Sequence, residues 1–124
     1  MNKKILIIED EVDLLETMAE AVAEAGFDVL TAENGDQGLR LALSEKPDLI
    51  LLDIIMPIMD GHETLEKLRQ DPWGKNAKVI VLTAMDDVQN IGLAHAGKIS
   101  DYIIKAHASL EDILTKIRLN IYTD

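Results

Sequence analysis

Leu49-Ile50-Leu51-Leu52-Asp53-Ile54-Ile55-Met56-Pro57 is the stretch that decides how this chain folds. A single carboxylate interrupts an apolar run that otherwise reads as a buried strand. An ionised carboxylate without a partner is costly to bury, so Asp53 belongs where something compensates it. Two readings fit the stretch taken alone. Asp53 stands at the strand's exit as part of a site, or it caps the turn leading into Pro57.

The neighbouring segments supply the architecture. Lys4 to Ile8 is short, apolar and β-branched, as a fully buried parallel strand should be. Leu14, Leu15, Met18, Ala21, Val22 and Ala25 recur at helical spacing, with Glu16, Glu20 and Glu24 on another face and Gly26 as the stop. Phe27 to Ala32 reads as a second strand, Asn34-Gly35 as a turn, and Asp36 to Ser44 as a second helix facing inward through Leu39, Ala42 and Leu43. The third strand runs from Asp48 to Leu52, followed by a loop through Pro57 and Asp60-Gly61. The third helix spans Gly61 to Gln70, with Leu65 and Leu68 as contacts, and Asp71-Pro72-Trp73-Gly74 ends it, Trp73 covering the exit. Lys78 to Leu82 is a fourth buried strand. A helix from Asp86 to about Ala96 has a thin apolar face and is expected to be among the more mobile elements. Asp101 to Ile104 forms a fifth strand, and Ser109-x-x-Asp112 has the form of a helix cap ahead of Leu110, Ile113, Leu114, Ile117 and Ile121.

Strands alternating with helices imply parallel pairing through right-handed crossovers, with helices on both faces of one sheet. The 124 residues suffice for one domain with one real core. Residues 1–124 are read as that single domain. There is no cysteine and no repeat, and the apolar run after Met1-Asn2-Lys3-Lys4 ends at Glu9, too soon for a signal peptide or a membrane span. A cytoplasmic protein without membrane contact is expected. The net charge of −11 argues against binding a phosphate backbone. Between Ile5 and Leu39 there are ten acidic residues and no lysine or arginine. Such a run is either a solvated face or a place where cations are held.

Open sheets of this kind bind ligands beyond the carboxyl ends of their strands. That rule selects Glu9, Asp10 and Glu11 after the first strand, Asp53 after the third, Thr83-Ala84 after the fourth and Lys105 after the fifth. Converging acids would raise one another's pKa unless a positive charge intervened. A hard cation such as Mg²⁺ answers that need, and Lys105 can reach the same place. Thr83 adds a hydroxyl donor. Such a set suits an aspartate that accepts a phosphoryl group, because that transfer depends on positioning and charge neutralisation. Glu11, Asp13, Asp86 and Asp87 read as solvated or capping acids, and His62, His95 and His107 as surface residues.

Ile8-Glu9-Asp10-Glu11, Leu51-Leu52-Asp53-Ile54-Ile55-Met56-Pro57 with Asp60-Gly61, Leu82-Thr83-Ala84 and Asp101-Tyr102-Ile103-Ile104-Lys105 resemble the receiver domain of two-component response regulators. The resemblance spans essentially the whole chain. It implies a flavodoxin-like, doubly wound five-stranded parallel α/β sheet of order 2-1-3-4-5 with five helices in three layers. It makes Asp53 the phosphoacceptor, with a sensor histidine kinase or histidine phosphotransfer protein as donor. Asp10, Asp53 and the main-chain carbonyl of Ile55 would ligate Mg²⁺, for which Mn²⁺ could substitute, with Glu9 acting partly through water. Thr83 and Lys105 would each bond a phosphoryl oxygen. Tyr102 holds the aromatic position that turns inward on activation in many receivers. The fourth helix, fifth strand and fifth helix would form the output face, acting on an unknown effector, with a phosphorylation-dependent dimer among its forms. The domain itself is expected neither to bind nucleic acid nor to be an enzyme beyond its own phosphoryl transfer and slow autodephosphorylation.

Two departures from the family matter. The lysine is usually followed by a cis proline, whereas Lys105 precedes Ala106. A non-proline cis bond costs about 2.5 to 4 kcal/mol, so a trans Lys105-Ala106 peptide and a different loop before Ser109 are expected. The positions two beyond the acceptor and two beyond the threonine, Ile55 and Met85, are apolar and cannot orient a hydrolytic water. Three competing functions have discriminating features. A haloacid-dehalogenase-like phosphatase would carry a second aspartate where Ile55 stands. A flavin or nucleotide binder would want glycines or donors in place of Glu9-Asp10-Glu11. A receiver-shaped module that is never phosphorylated would lack the acceptor, an acidic ligand or the lysine. No DNA-binding or enzymatic domain follows Tyr122-Thr123-Asp124, so a stand-alone receiver and a fragment of a larger regulator or hybrid kinase are both expected possibilities.

Overall fold

A computed structural model describes residues 2–84 and 98–122. Its elements are β1 (Lys4–Ile8), α1 (Val12–Glu24), β2 (Asp28–Ala32), α2 (Gly35–Glu45), β3 (Leu49–Asp53), α3 (Gly61–Gln70), a 3₁₀ turn (Gly74–Asn76), β4 (Val79–Thr83), β5 (Asp101–Ile104) and α4 (Leu110–Ile121). The expected helix Asp86–Ala96, together with Met85, Asp86, Asp87 and His95, lies outside the described residues. All strands are parallel, in the order β2-β1-β3-β4-β5.

Alternation along the central strands divides the core in two. Ile5, Ile7, Leu49, Leu51, Ile80, Leu82 and Ile103 pack under α1 and α4. Leu6, Ile8, Ile50, Leu52, Val79 and Val81 pack under α2 and α3. Every residue of β3 and β4 is buried, including Asp53 and Thr83. Both strands therefore run one residue further than their apolar stretches, because ladder pairing of Asp53 with Leu82 uses main-chain groups and is indifferent to the side chain. Among the described residues no helix is long and apolar enough to cross a membrane.

Several local expectations need correction. Asn34-Gly35 is the start of α2 rather than a turn, since the Asn34 side chain accepts the Gln37 N–H at 2.8 Å. Leu39, Ala42 and Leu43 do face the core, Leu39 and Leu43 half-buried, and the further residues of α2 that bury fully are Gly35 and Gly38. A Cβ on Gly38 would lie 2.4 Å from Ile8 Cδ1, so the missing side chain lets α2 sit down on β1. Leu110 is exposed, whereas the cap ahead of it is as expected: Ser109 accepts from Asp112 N–H, and Asp112 accepts from Ser109 N–H. Trp73 packs at the exit of α3. The Lys105-Ala106 peptide is trans, as are the other described bonds.

Candidate functional site

Strand register brings the site together. Ile8 pairs with Leu52, which sets Glu9 level with Asp53 just past the end of β1. Thr83 pairs with Ile104, and the Lys105 N–H donates to the Thr83 carbonyl at 2.9 Å. Counting in twos from Ile7, Leu51 and Ile103 puts Glu9, Asp53 and Lys105 on the α1 and α4 side of the sheet. Thr83 follows Val79 and Val81 to the other side.

The result is a compact charged cluster. Lys105 Nζ lies 2.8 Å from Glu9 Oε1 and 3.4 Å from Asp53 Oδ2. Glu9 is fully buried, and Oε1 has no well-directed hydrogen bond despite the ammonium opposite it. The other oxygen, Oε2, accepts the Glu11 N–H at 3.1 Å at the entry to α1. Asp53 Oδ1 accepts the Ile55 N–H at 3.3 Å. Asp10 is exposed and completes a group of three carboxylates, whose oxygens lie within 4.8 Å of one another.

Two negative charges in a dry place against one ammonium leave a deficit. Burial, reinforced by Glu9, pushes the Asp53 carboxyl up to about 7 even though Lys105 pulls the other way. For Lys105 burial opposes the charge, but the two carboxylates prevail and hold its ammonium above the ordinary range. A divalent cation fits this donor set: hard oxygens, one of them a buried carboxylate oxygen without a hydrogen bond, and one carboxylate open to solvent.

Positioning depends on Gly61, which opens α3. Its N–H donates to the Ile54 carbonyl at 2.8 Å, and a Cβ there would stand 2.4 Å from the Asp53 carbonyl oxygen. Asp60 caps the helix by accepting from Glu63 N–H at 2.9 Å. Between Asp53 and Asp60 the loop buries Met56 and Met59 and leaves Ile55 and Ile58 exposed, Ile58 with φ +71°.

The other expected residues are placed as follows. The Thr83 hydroxyl is buried and donates to the Ala84 carbonyl at 3.0 Å. Tyr102 is outward and 40% exposed, its ring centroid 5.5 Å from the Lys116 ammonium. Met85 lies outside the described residues. His107 is exposed and His62 half-buried. The Asp101 and Lys116 pair beside Tyr102, at 2.9 Å, gave no signal in the sequence. A fifteen-residue separation between acid and base across a loop carries no periodicity to read.

Residues 5–118 match the response regulator receiver domain. The alkaline phosphatase synthesis transcriptional regulatory protein PhoP of Bacillus subtilis is 36% identical over 111 residues, 90% of this chain and 45% of that protein. The chain thus spans about half the length of the curated relatives it matches. The receiver domain of sensor histidine kinase PA1611 from Pseudomonas aeruginosa PAO1 superimposes with a TM-score of 0.88 at 24% identity, covering 99% of this chain and 100% of that one. The response regulator TrrA of Thermotoga maritima, solved in complex with Mg²⁺ and BeF, gives a TM-score of 0.82 at 32% identity over 94% and 97% of the two chains.

Proposed function

Because the chain belongs to the response regulator receiver domain family, whose members are signalling switches phosphorylated by histidine kinases, we propose that Asp53 is its phosphoacceptor. The observation that carries this reading is the convergence of Glu9, Asp10, Asp53 and Lys105 at one end of the sheet. A carboxylate oxygen of Asp53 attacks the phosphorus of a donor's phosphohistidine. The new P–O bond forms as the P–N bond breaks, and the imidazole leaves with the bonding pair. A histidine kinase or a histidine phosphotransfer protein serves as donor.

Receiver domains bind Mg²⁺ at an acidic pocket, and here Glu9, Asp10, Asp53 and the Ile55 main-chain carbonyl are the proposed holders, with Mn²⁺ as a substitute. When bound, the ion neutralises charge on the carboxylates and on the incoming phosphoryl oxygens. Lys105 turns from Glu9 to one phosphoryl oxygen, and Thr83 gives up its bond to Ala84 for another. The vacated space beside Thr83 draws Tyr102 inward, changing the face that β5 and α4 present. That face meets the downstream effector or a second phosphorylated copy. The setting is the cytoplasm, and the domain makes no direct contact with nucleic acid.

Ile55 and Met85 leave the hydrolytic path without a side chain that can orient water, so the phosphoryl group is long-lived. Incubation with Mg²⁺ and acetyl phosphate, followed by intact-mass analysis, should show uptake of one phosphoryl group that chelation abolishes. No uptake, or uptake indifferent to chelation, would overturn the reading. Met85→Glu should then speed phosphoryl loss, whereas a wild-type rate already as fast would remove the role given to Ile55 and Met85.

A further inference from the structure

The sheet's two ends are opposite in charge. Beneath the amino-terminal ends of β1, β3 and β4, away from Asp53, lies a cavity of about 460 Å³ lined by Lys3, Lys46 and Lys78. A second of about 440 Å³ is lined by Arg69, Lys75 and Lys98. The two adjoin at Asn76 and Ala77, which line both, giving a groove of two chambers. Half of the chain's 12 basic residues lie along it.

Part of that charge is engaged in holding the fold. Lys78 Nζ caps the end of α4 through the carbonyls of Asn120 at 2.9 Å and Ile121 at 3.3 Å. Arg69 donates to the carbonyls of Gly74, Ala77 and Lys98. Lys98 stands 3.9 Å from Glu66. Lys3, Lys46 and Lys75 are exposed and, among the described residues, make no ion pair. Among the described residues Asp48 is the one carboxylate lining either cavity, and its Oδ2 is taken by the Lys4 N–H at 2.8 Å. Three unpaired ammonium groups thus follow one groove on a protein of net charge −11.

We propose that this groove docks an extended acidic segment of a partner protein, with Lys3, Lys46 and Lys75 meeting its carboxylates in turn. Ammonium groups divided between two adjoining chambers suit spaced charges better than one compact anion. Trp73 and Pro72, which also line the groove, offer apolar surface beside the lysines. A nucleic acid is disfavoured because its dense phosphates would meet the repulsive field of the whole chain while finding few free cations. A partner held here leaves the Asp53 end open, so docking and phosphoryl transfer proceed without blocking one another.

Trp73 is the chain's single tryptophan, and its emission reports on the groove directly. A fluorescein-labelled peptide whose few glutamates are spaced by glycine and serine, titrated at low salt, should bind saturably by anisotropy and change Trp73 emission, and binding should weaken as salt rises. The double variant Lys3→Glu with Lys46→Glu should weaken it about tenfold or more. Arg118→Glu, an equal charge change per site at a residue that lines neither cavity, should weaken it far less, and all variants should unfold at the wild-type temperature. Asp53→Ala should bind like wild type, which separates this proposal from the acceptor assignment. No saturable binding, equal loss in Arg118→Glu, equal binding of a single-stranded oligothymidylate, or self-association through the groove in place of peptide binding would overturn it.

Discussion

At Asp53 the competition between burial and charge sets a measurable pH dependence. Its folded carboxyl titrates near 7, against an ordinary value of 3.8. Between those values the folded protein keeps a proton that the unfolded chain has released, so stability of the metal-free protein falls as pH rises from about 4 to about 7. Chelated protein should melt at a lower temperature at pH 8 than at pH 5, and Asp53→Asn should flatten the difference. An unchanged slope in Asp53→Asn would place the titrating group elsewhere. Lys105→Ala strands Glu9 and Asp53 against each other, and the loss should be larger at pH 8 than at pH 5. Because Lys105 is partly exposed, the cost should fall at or below the lower end of the about 3–5 kcal/mol typical of a broken buried pair. Ile58 poses a different residue-scale problem, a β-branched side chain at φ +71°. That conformation costs an L residue about 1–2 kcal/mol, of which glycine's greater unfolded freedom would take back part. Ile58→Gly should therefore raise the urea midpoint by an equivalent of up to about 1 kcal/mol with an unchanged slope.

Among the elements, α3 packs directly on the strand end that carries Asp53. A methyl group at Gly61 meets backbone, at 2.4 Å from the Asp53 carbonyl oxygen and 2.6 Å from Ile54 Cα, and backbone cannot swing aside. Gly61→Ala should cost about 1–3 kcal/mol, as overpacking does, and should slow phosphoryl uptake beyond what the lost stability explains. At Gly38 the nearest atom is the end of the Ile8 side chain, so Gly38→Ala should cost stability in the same range and leave uptake nearly intact. Periodicity made the helices and strands legible, and it failed where the informative residue had no side chain. Gly35 and Gly38 bury α2 more fully than Leu39 does, and no hydrophobic count registers them. The loop's outlier at Ile58 escaped notice for a related reason. Burial of Met56 and Met59 together with the Met59 N–H bond to the Pro57 carbonyl sets its backbone, and none of that follows from local propensity.

Across the whole molecule, strand order and register convert scattered residues into one site. Glu9, Asp53 and Lys105 were legible as partners because the rule for open parallel sheets depends only on the order of elements. The direction of the Thr83 hydroxyl toward Ala84, the outward Tyr102 ring over Lys116 and the grouping of six cations at the far end depend on packing between distant segments, which a linear reading does not contain. The same topology separates the acidic end at Asp53 from a basic end, so the proposed phosphorylation adds negative charge where a cation and Lys105 can absorb it. Whether Asp53 is the residue that takes the phosphoryl group is the claim on which the rest depends. It is tested most directly by intact-mass analysis of wild type and Asp53→Ala after identical exposure to Mg²⁺ and acetyl phosphate. The expected result is one added phosphoryl group on wild type and none on Asp53→Ala, and equal uptake by the two proteins would contradict the account.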